Sequence, residues 1–371
     1  MDSPKDLATI QKCLVNKLDD SAIGRKSIAG VIGDAPSYYS KSPSLWNAVF
    51  RNLEINAIYL PFDVDDAHVG ELFAALKDSE RFIGANVTVP HKHRVMDYLD
   101  EIDPGAQRIQ AVNTIVRSPS GRLIGYNTDG EGFIESILTP QPGRKEGFIP
   151  SLNGMRVLLL GAGGSARAVA LHTTDLLAGG ELVICNRTVE HAVSLAADVQ
   201  KAGGHALAIN EEALPARAVK AGLIINCTTK GQGGVRKLAN GRATILEPYS
   251  ALAPAQPPPL PGTDSGDTAF QSTWRATAAR DIDSNNLVSL ALARCMPPET
   301  RFYDLIYHPE ETVFLRHGRI TGHTTMNGKA MIVNQAVIAF CRCICASELR
   351  ARGIDTTKTY KRILELMYRA W

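Results

Sequence analysis

Three short polar segments in this 371-residue chain carry the groups needed to bind a hydroxylated ligand and move a proton. They are Asn86-Val87-Thr88-Val89-Pro90-His91-Lys92, Ala111-Val112-Asn113-Thr114 and Asn127-Thr128-Asp129. Each is polar where a buried strand end should not be. Asn86, Thr88, Asn113 and Thr128 supply neutral donors and acceptors for a polyol, whereas Lys92 and Asp129 add one cation and one carboxylate suited to proton transfer. A carboxylate beside the lysine favours the ammonium and desolvation favours the amine, so the two are assigned jointly. Plainer readings stand beside these. A lone lysine is most often solvated, Asn113 also suits a strand-end turn, and Asn127-Thr128-Asp129-Gly130 suits a turn capping a helix that begins near Gly132.

A second set of residues suits a dinucleotide. Met155-Arg156-Val157-Leu158-Leu159-Leu160 is an unbroken apolar run of the kind buried in a parallel sheet. It leads directly into Gly161-Ala162-Gly163-Gly164-Ser165-Ala166 and then a helix over 167–178. The pattern is G-x-G-x-x-A. Gly161 permits a tight turn, Gly163 lets backbone approach a pyrophosphate, Ala166 allows helix and strand to pack closely, and the helix N-terminus attracts phosphate. The next strand, Glu181-Leu182-Val183-Ile184-Cys185, ends on Asn186-Arg187-Thr188. A carboxylate at that point would bond a free ribose 2′-hydroxyl and repel a 2′-phosphate. Arg187 instead offers a planar guanidinium that pairs bidentately with phosphate, so the predicted cofactor is NADP.

Such groups need a scaffold of alternating strands and helices. Ser27 to Ile32 predicts a strand, 44–53 a helix opened near Ser42 and Pro43, 56–62 a second strand, 69–78 a helix and 82–89 a third strand. The alternation predicts an α/β fold whose mostly parallel sheet is covered on both faces. A loop holding Pro140, Pro142, Gly143, Gly147 and Pro150 marks a domain junction. The expected organisation is an extension through residue 27, a first domain over 28–139 completed by helices of 329–371, and a nucleotide-binding domain over 140–328. Arg301 to Tyr307 predicts a late strand, and 331–351 a final helix before a polar tail. Between Thr244 and Thr277, Pro254, Pro257, Pro258, Pro259 and Pro261 crowd together ahead of Gly262, Asp264 and Gly266. That composition predicts a disordered spacer near 247–277 inside the second domain. The competing reading makes Phe270 and Trp274 the anchors of a lid over the cofactor.

Composition narrows the function classes. A formal net charge of +2, with no run of like charges, gives no electrostatic case for nucleic acid or an anionic membrane. No window approaches 18 consecutive apolar residues, and the first residues lack the basic-then-apolar order of a signal peptide. The seven cysteines are an odd number. Cys341, Cys343 and Cys345 are too closely spaced to converge on one metal from a helix, so no metal is expected. The chain reads as cytoplasmic, with a small-molecule partner.

The three polar segments, in this order after Ser40-Lys41-Ser42-Pro43 and ahead of the glycine loop, closely resemble the shikimate dehydrogenase family. The resemblance runs from about Ile28 to Gln335. It implies an N-terminal substrate-binding domain, a Rossmann-like NADP-binding domain and an active site in the cleft between them. It implies NADP-dependent reduction of 3-dehydroshikimate to shikimate, with Lys92 and Asp129 as the proton-transfer pair. Ser40, Ser42, Tyr307 and Gln335 would hold the substrate carboxylate, and Asn86, Thr88 and Asn113 its ring. The cofactor would meet Gly161, Ala162, Gly163, Gly164, Ser165, Ala166, Asn186, Arg187, Thr188, Thr228 and Gly328. Tyr39, Trp46, Gln232 and the Lys329-Ala330 pair depart from the family pattern. A quinate or aminoshikimate dehydrogenase, and a non-catalytic ligand sensor, are the alternatives.

Overall fold

Two six-stranded sheets organise the chain, one in each of two units. The computed structural model describes residues 3–237, 243–260 and 268–371. The first unit takes the chain through Ser136, Pro140–Lys145 and Met331–Trp371; the second takes Ile137–Thr139 and Glu146–Ala330.

In the first unit the strands are β1 (Ser27–Gly33), β2 (Ala57–Asp63), β3 (Phe82–Val87), β4 (Glu101–Ile102), β5 (Thr114–Arg117) and β6 (Leu123–Tyr126), in the order β2-β1-β3-β5-β6-β4. The pairs β1·β2, β1·β3 and β4·β6 are parallel, and β5 runs antiparallel to β3 and β6. The carboxyl ends of β1, β3 and β6 and the start of β5 therefore share one edge. Strand β1 shows why the sheet is buried on both sides. Its Ile28 and Ile32 join one apolar cluster, and its Ala29 and Val31 the other, the alternation expected of a pleated strand. The Lys329–Ile338 helix supplies Val333, Ala336 and Val337 to the second cluster.

Both ends of the described chain pack into the apolar clusters of the first unit. Residues 3–27 form part of the first unit. The Ser3–Lys12 helix and the turn after it send Leu7, Ile10 and Cys13 into the first cluster with Phe62 and Leu72. The polar tail is a helix, Thr356–Arg369, capped by the Asp355 carboxylate and burying Ile363, Leu364 and Met367. Between them the predicted final helix is broken into Lys329–Ile338, a π turn at Ala339–Ile344 and Ala346–Ala351, with Cys341 and Cys345 in the core.

In the second unit, β7 (Arg156–Leu160), β8 (Glu181–Cys185), β9 (Ala206–Ile209), β10 (Leu223–Asn226), the hairpin strands β11 (Val235–Lys237) and β12 (Ala243–Ile245), β13 (Arg301–Asp304) and β14 (Thr325–Met326) follow in sequence. The main sheet has the order β14-β13-β10-β7-β8-β9 and all its pairs are parallel. Chain order reverses between β7 and β10, the switch point at which doubly wound sheets bind dinucleotides.

The disordered-spacer reading is also corrected. Residues 243–260 pack with Tyr249 and Leu252 buried, and a 27-residue helix, Thr268–Arg294, follows. Trp274 is buried and donates its indole N–H to the Pro258 carbonyl at 2.7 Å. Of the predicted spacer, Pro261 to Asp267 lie outside the described residues. Composition misled because the carbonyls of Pro254 and Pro258 gain donors from Asn285 and Trp274 of the helix that follows.

Candidate active site

At the shared strand edge of the first unit, β3 delivers Asn86 and, five residues after its end, Lys92. The start of β5 presents Asn113 and Thr114, and the chain leaving β6 presents Thr128 and Asp129. Register fixes this meeting, because Asn86 pairs with Thr114 and Thr114 with Tyr126.

Asn113, buried at 2% exposure, is the hub of the cluster. Its Oδ1 accepts from the Thr128 N–H at 2.8 Å and the Thr114 hydroxyl at 2.9 Å. Its Nδ2 donates to Asp129 Oδ1 at 2.8 Å, and to Gln335 Oε1 at 3.4 Å. Asp129 turns its other oxygen to Lys92, whose Nζ donates to Oδ2 at 2.5 Å. The lysine side chain is 18% exposed and the carboxylate 6%, so the pair is sheltered but reachable. Asp129 also opens the Asp129–Leu138 helix, where a carboxylate is favoured by the helix dipole.

Gln335 reaches the same cluster from the Lys329–Ile338 helix. Its Oε1 also accepts from the Thr128 hydroxyl at 3.3 Å, and its Nε2 donates to the Ile332 carbonyl at 2.9 Å. Gly132 makes this approach possible, since a Cβ there would lie 2.7 Å from the Gln335 backbone. Thr88, half-buried, donates its N–H to Ile32 O at 2.9 Å. Ser42 is buried in the first turn of the Ser42–Asn52 helix, and its N–H donates to Ser40 Oγ at 3.2 Å.

One residue of this cluster went unread in the sequence. Tyr59 is buried, donates to Asn86 Oδ1 at 2.7 Å and is also hydrogen-bonded to Ser42. Burial drives its phenol well above the ordinary range, so it stays a neutral bridge between the serine pair and Asn86. Its place in the apolar strand Ala57–Asp63 hid it. Trp46, one of the departures from the family pattern, stacks on Tyr59 at 4.8 Å between ring centroids and belongs to the core.

Tyr307 lies in the second unit, in the chain after β13, half-buried, with its phenol pushed up by burial. Gly328 is pressed against β13's exit, where a Cβ would meet the Leu305 carbonyl oxygen at 1.9 Å. Upstream, Asp304 ends β13 fully buried, accepting from Asn226 Nδ2 at 3.0 Å and Thr312 Oγ1 at 2.6 Å. Burial lifts its carboxyl to about 7 despite those donors.

The glycine loop of the second unit fits a pyrophosphate. Gly161 has φ +105, a left-handed value that other residues rarely adopt, and a Cβ on Gly163 or Gly164 would meet nothing within 4 Å. Ala162 precedes that open space, and Ser165 and the buried Ala166 lie in the first turn of the helix Gly164–Leu176, longer at its start than the sequence suggested. Its leading N–H groups have no side-chain cap at Gly163, which leaves them available to an anion. Beside it, a cavity of about 290 Å³ is lined by Leu160, Asn186, Arg187, Thr188, Thr228 and Lys230 among others. Arg187 is exposed at its rim. Asn186 shapes the turn by donating to Thr188 O at 2.8 Å, and Thr228 is held by its hydroxyl on Asn226 Oδ1 at 2.7 Å.

Fold and geometry place the chain among two-unit α/β proteins, one unit holding a dinucleotide-type glycine loop and the other a half-buried lysine paired with a buried carboxylate in a neutral polar cluster. Two family models match it: the shikimate dehydrogenase substrate binding domain over residues 31–115, and shikimate / quinate 5-dehydrogenase over 145–243. A protein of Carboxydothermus hydrogenoformans named shikimate dehydrogenase (NADP(+)) is 34% identical over 317 residues, covering 85% of this chain and 91% of the relative. One of the same name from Symbiobacterium thermophilum is 35% identical over 331 residues, covering 88% and 92%. The crystal structure of shikimate 5-dehydrogenase from Thermus thermophilus, in complex with NADP(H) and shikimate, aligns with a TM-score of 0.60 at 26% identity over 93% of this chain and 99% of the other. The chain belongs to the shikimate dehydrogenase family.

Proposed function

We propose that the protein is an NADP-dependent shikimate dehydrogenase, reversibly reducing 3-dehydroshikimate to shikimate. The observation that carries this is the Lys92–Asp129 pair, 2.5 Å apart and fixed through Asn113 inside a cluster of neutral hydroxyl and amide groups. A polar ring with several hydroxyls suits such a cluster, and a ketone reduction needs one proton donor within it.

NADPH, when bound, supplies the hydride. Lys92 donates a proton to the forming alkoxide and takes it back in the oxidation direction. Asp129 orients the ammonium and accepts from a neighbouring substrate hydroxyl. Asn86, Thr88 and Asn113 bind ring hydroxyls, and Ser40, Ser42, Tyr307 and Gln335 hold the carboxylate without a formal counter-charge. Gly161 to Ala166 meet the pyrophosphate, Asn186, Arg187 and Thr188 the 2′-phosphate and its ribose, and Thr228 and Gly328 the nicotinamide side. The cytoplasm is the compartment, in keeping with seven free thiols.

Lys92→Ala tests the reading. Turnover should fall roughly 10²–10⁴-fold with shikimate affinity kept within about tenfold, because a proton-transfer group acts mainly in the transition state. A variant keeping more than half of normal turnover would remove Lys92 from the chemistry.

A further inference from the structure

The cavity beside the glycine loop has walls from two sources. In the sheet order β10-β7-β8, residues leaving β8 and residues leaving β10 flank the end of β7 from opposite sides. Leu160 of β7 and Cys185 of β8 contribute apolar surface, and Arg187 and Thr188 stand on the β8 side. On the other side the lining comes from the segment after β12: Leu246, Ala251, Ala255 and Pro257. This surface is apolar, unlike the Asn-Arg-Thr turn that faces the same space. At about 290 Å³ the cavity sits at the lower edge of the ~300–1,000 Å³ range of ligand sites, room for part of a dinucleotide.

The segment is built to stay in place. Asn285 of the Thr268–Arg294 helix, 2% exposed, clamps it with every atom of its amide. Its Oδ1 accepts from Ser250 N at 2.8 Å, and its Nδ2 donates to the carbonyls of Ser250, Ala253 and Pro254 at 3.1, 3.0 and 2.9 Å. Asp281, one turn away, accepts from Gln256 N at 2.8 Å, and Trp274 holds Pro258. From the β10 side, Lys230 donates to the Ala253 carbonyl at 2.9 Å while paired with Glu211 at 2.6 Å. Pro254, Pro257 and Pro258 fix φ and need no ladder donor, so a proline-rich chain suits a wall held by its carbonyls.

We infer that residues 250–258 form the apolar wall against which the adenine ring of the dinucleotide packs, with Asn285 and Lys230 as the positioning residues that hold it. The inference rests on the NADP reading above. Adenine is common to NADP and NAD, whereas the 2′-phosphate is read by Arg187. The wall therefore sets affinity for both cofactors equally, and the arginine separates them.

Ala255→Leu narrows the cavity while keeping every hydrogen-bonding side chain of the clamp, and Asn285→Ala releases the clamp. NADPH and NADH dissociation constants are read by fluorescence titration, alongside melting temperature, turnover at saturating cofactor and the shikimate Michaelis constant. For Ala255→Leu both dissociation constants should rise by a similar factor of about tenfold or more in protein that is still folded, whatever the added bulk beside Tyr249 and Trp274 costs in melting temperature. Asn285→Ala should weaken both cofactors with the shikimate constant unchanged; if it does not fold, Ala255→Leu alone decides. Wild-type protein that binds NADPH while Ala255→Leu binds it as tightly overturns the inference, as does an Ala255→Leu loss confined to NADPH. Wild-type protein that fails to bind NADPH overturns the cofactor reading itself.

Discussion

Replacing Asp129 by asparagine alters one atom of a fully paired network, and the consequence can be worked bond by bond. Asp129 Oδ2 accepts from Lys92 and Oδ1 from Asn113 Nδ2, both donors. An asparagine has a single oxygen, so in either orientation its amide N–H faces another N–H. Losing a charge-assisted hydrogen bond costs roughly 1.5–3 kcal/mol, and a buried donor left unpaired about 1–3 more. The lost carboxylate at the start of the Asp129–Leu138 helix adds typically ~0.3–1 kcal/mol. Lys92 is 18% exposed and can turn to water, which trims the total. A destabilisation of roughly 2–5 kcal/mol follows. Turnover should fall further than stability explains, by roughly 10²–10⁴-fold at a temperature where the variant is still folded, since Lys92 loses its orienting partner. Denaturant melts and steady-state kinetics on one preparation measure both. A variant that melts with wild type and keeps more than half its turnover would refute the network argument.

Arg187→Ala should weaken NADP binding by roughly 1.5–3 kcal/mol and leave NAD binding nearly unchanged, because one charge-assisted phosphate contact is lost; equal losses in calorimetric titrations would show that Arg187 does not read the phosphate. Asp304 sets a pH dependence. Its carboxyl is raised to about 7 in the fold, against an ordinary ~3.9 in an unfolded chain, so its contribution is fully present below about pH 4 and is lost as pH rises through 7. Asp304→Asn should therefore melt with a flatter profile than wild type between pH 4 and 8, and parallel profiles would contradict the buried, protonated carboxyl.

The polar cluster was more legible in the sequence than the residues that support it. Lys92, Asn113 and Asp129 stand in short strings whose polarity at strand ends has no packing reason, and the glycine loop follows an unmistakable buried strand. Tyr59 was invisible because its hydroxyl acts from inside an apolar strand, and only pairing with Asn86 reveals it. Trp46, a departure from the family pattern, is a core residue stacked on Tyr59. The stretch around Pro257 was read as a spacer because local composition counts only what a segment buries by itself. Its order comes from Asn285, about thirty residues further on, and no local rule links the two. At the N-terminus, local sequence gives no sign of the Phe62 and Leu72 surface that receives Leu7 and Ile10.

Initial rates with shikimate and with quinate, each with NADP and with NAD, test the central claim most directly. The account predicts that shikimate with NADP gives the highest turnover per unit Michaelis constant, with NAD poorer because Arg187 is left without its phosphate. Oxidation of quinate with NAD outpacing shikimate with NADP, or no reduced cofactor formed from any of the four combinations, would contradict it.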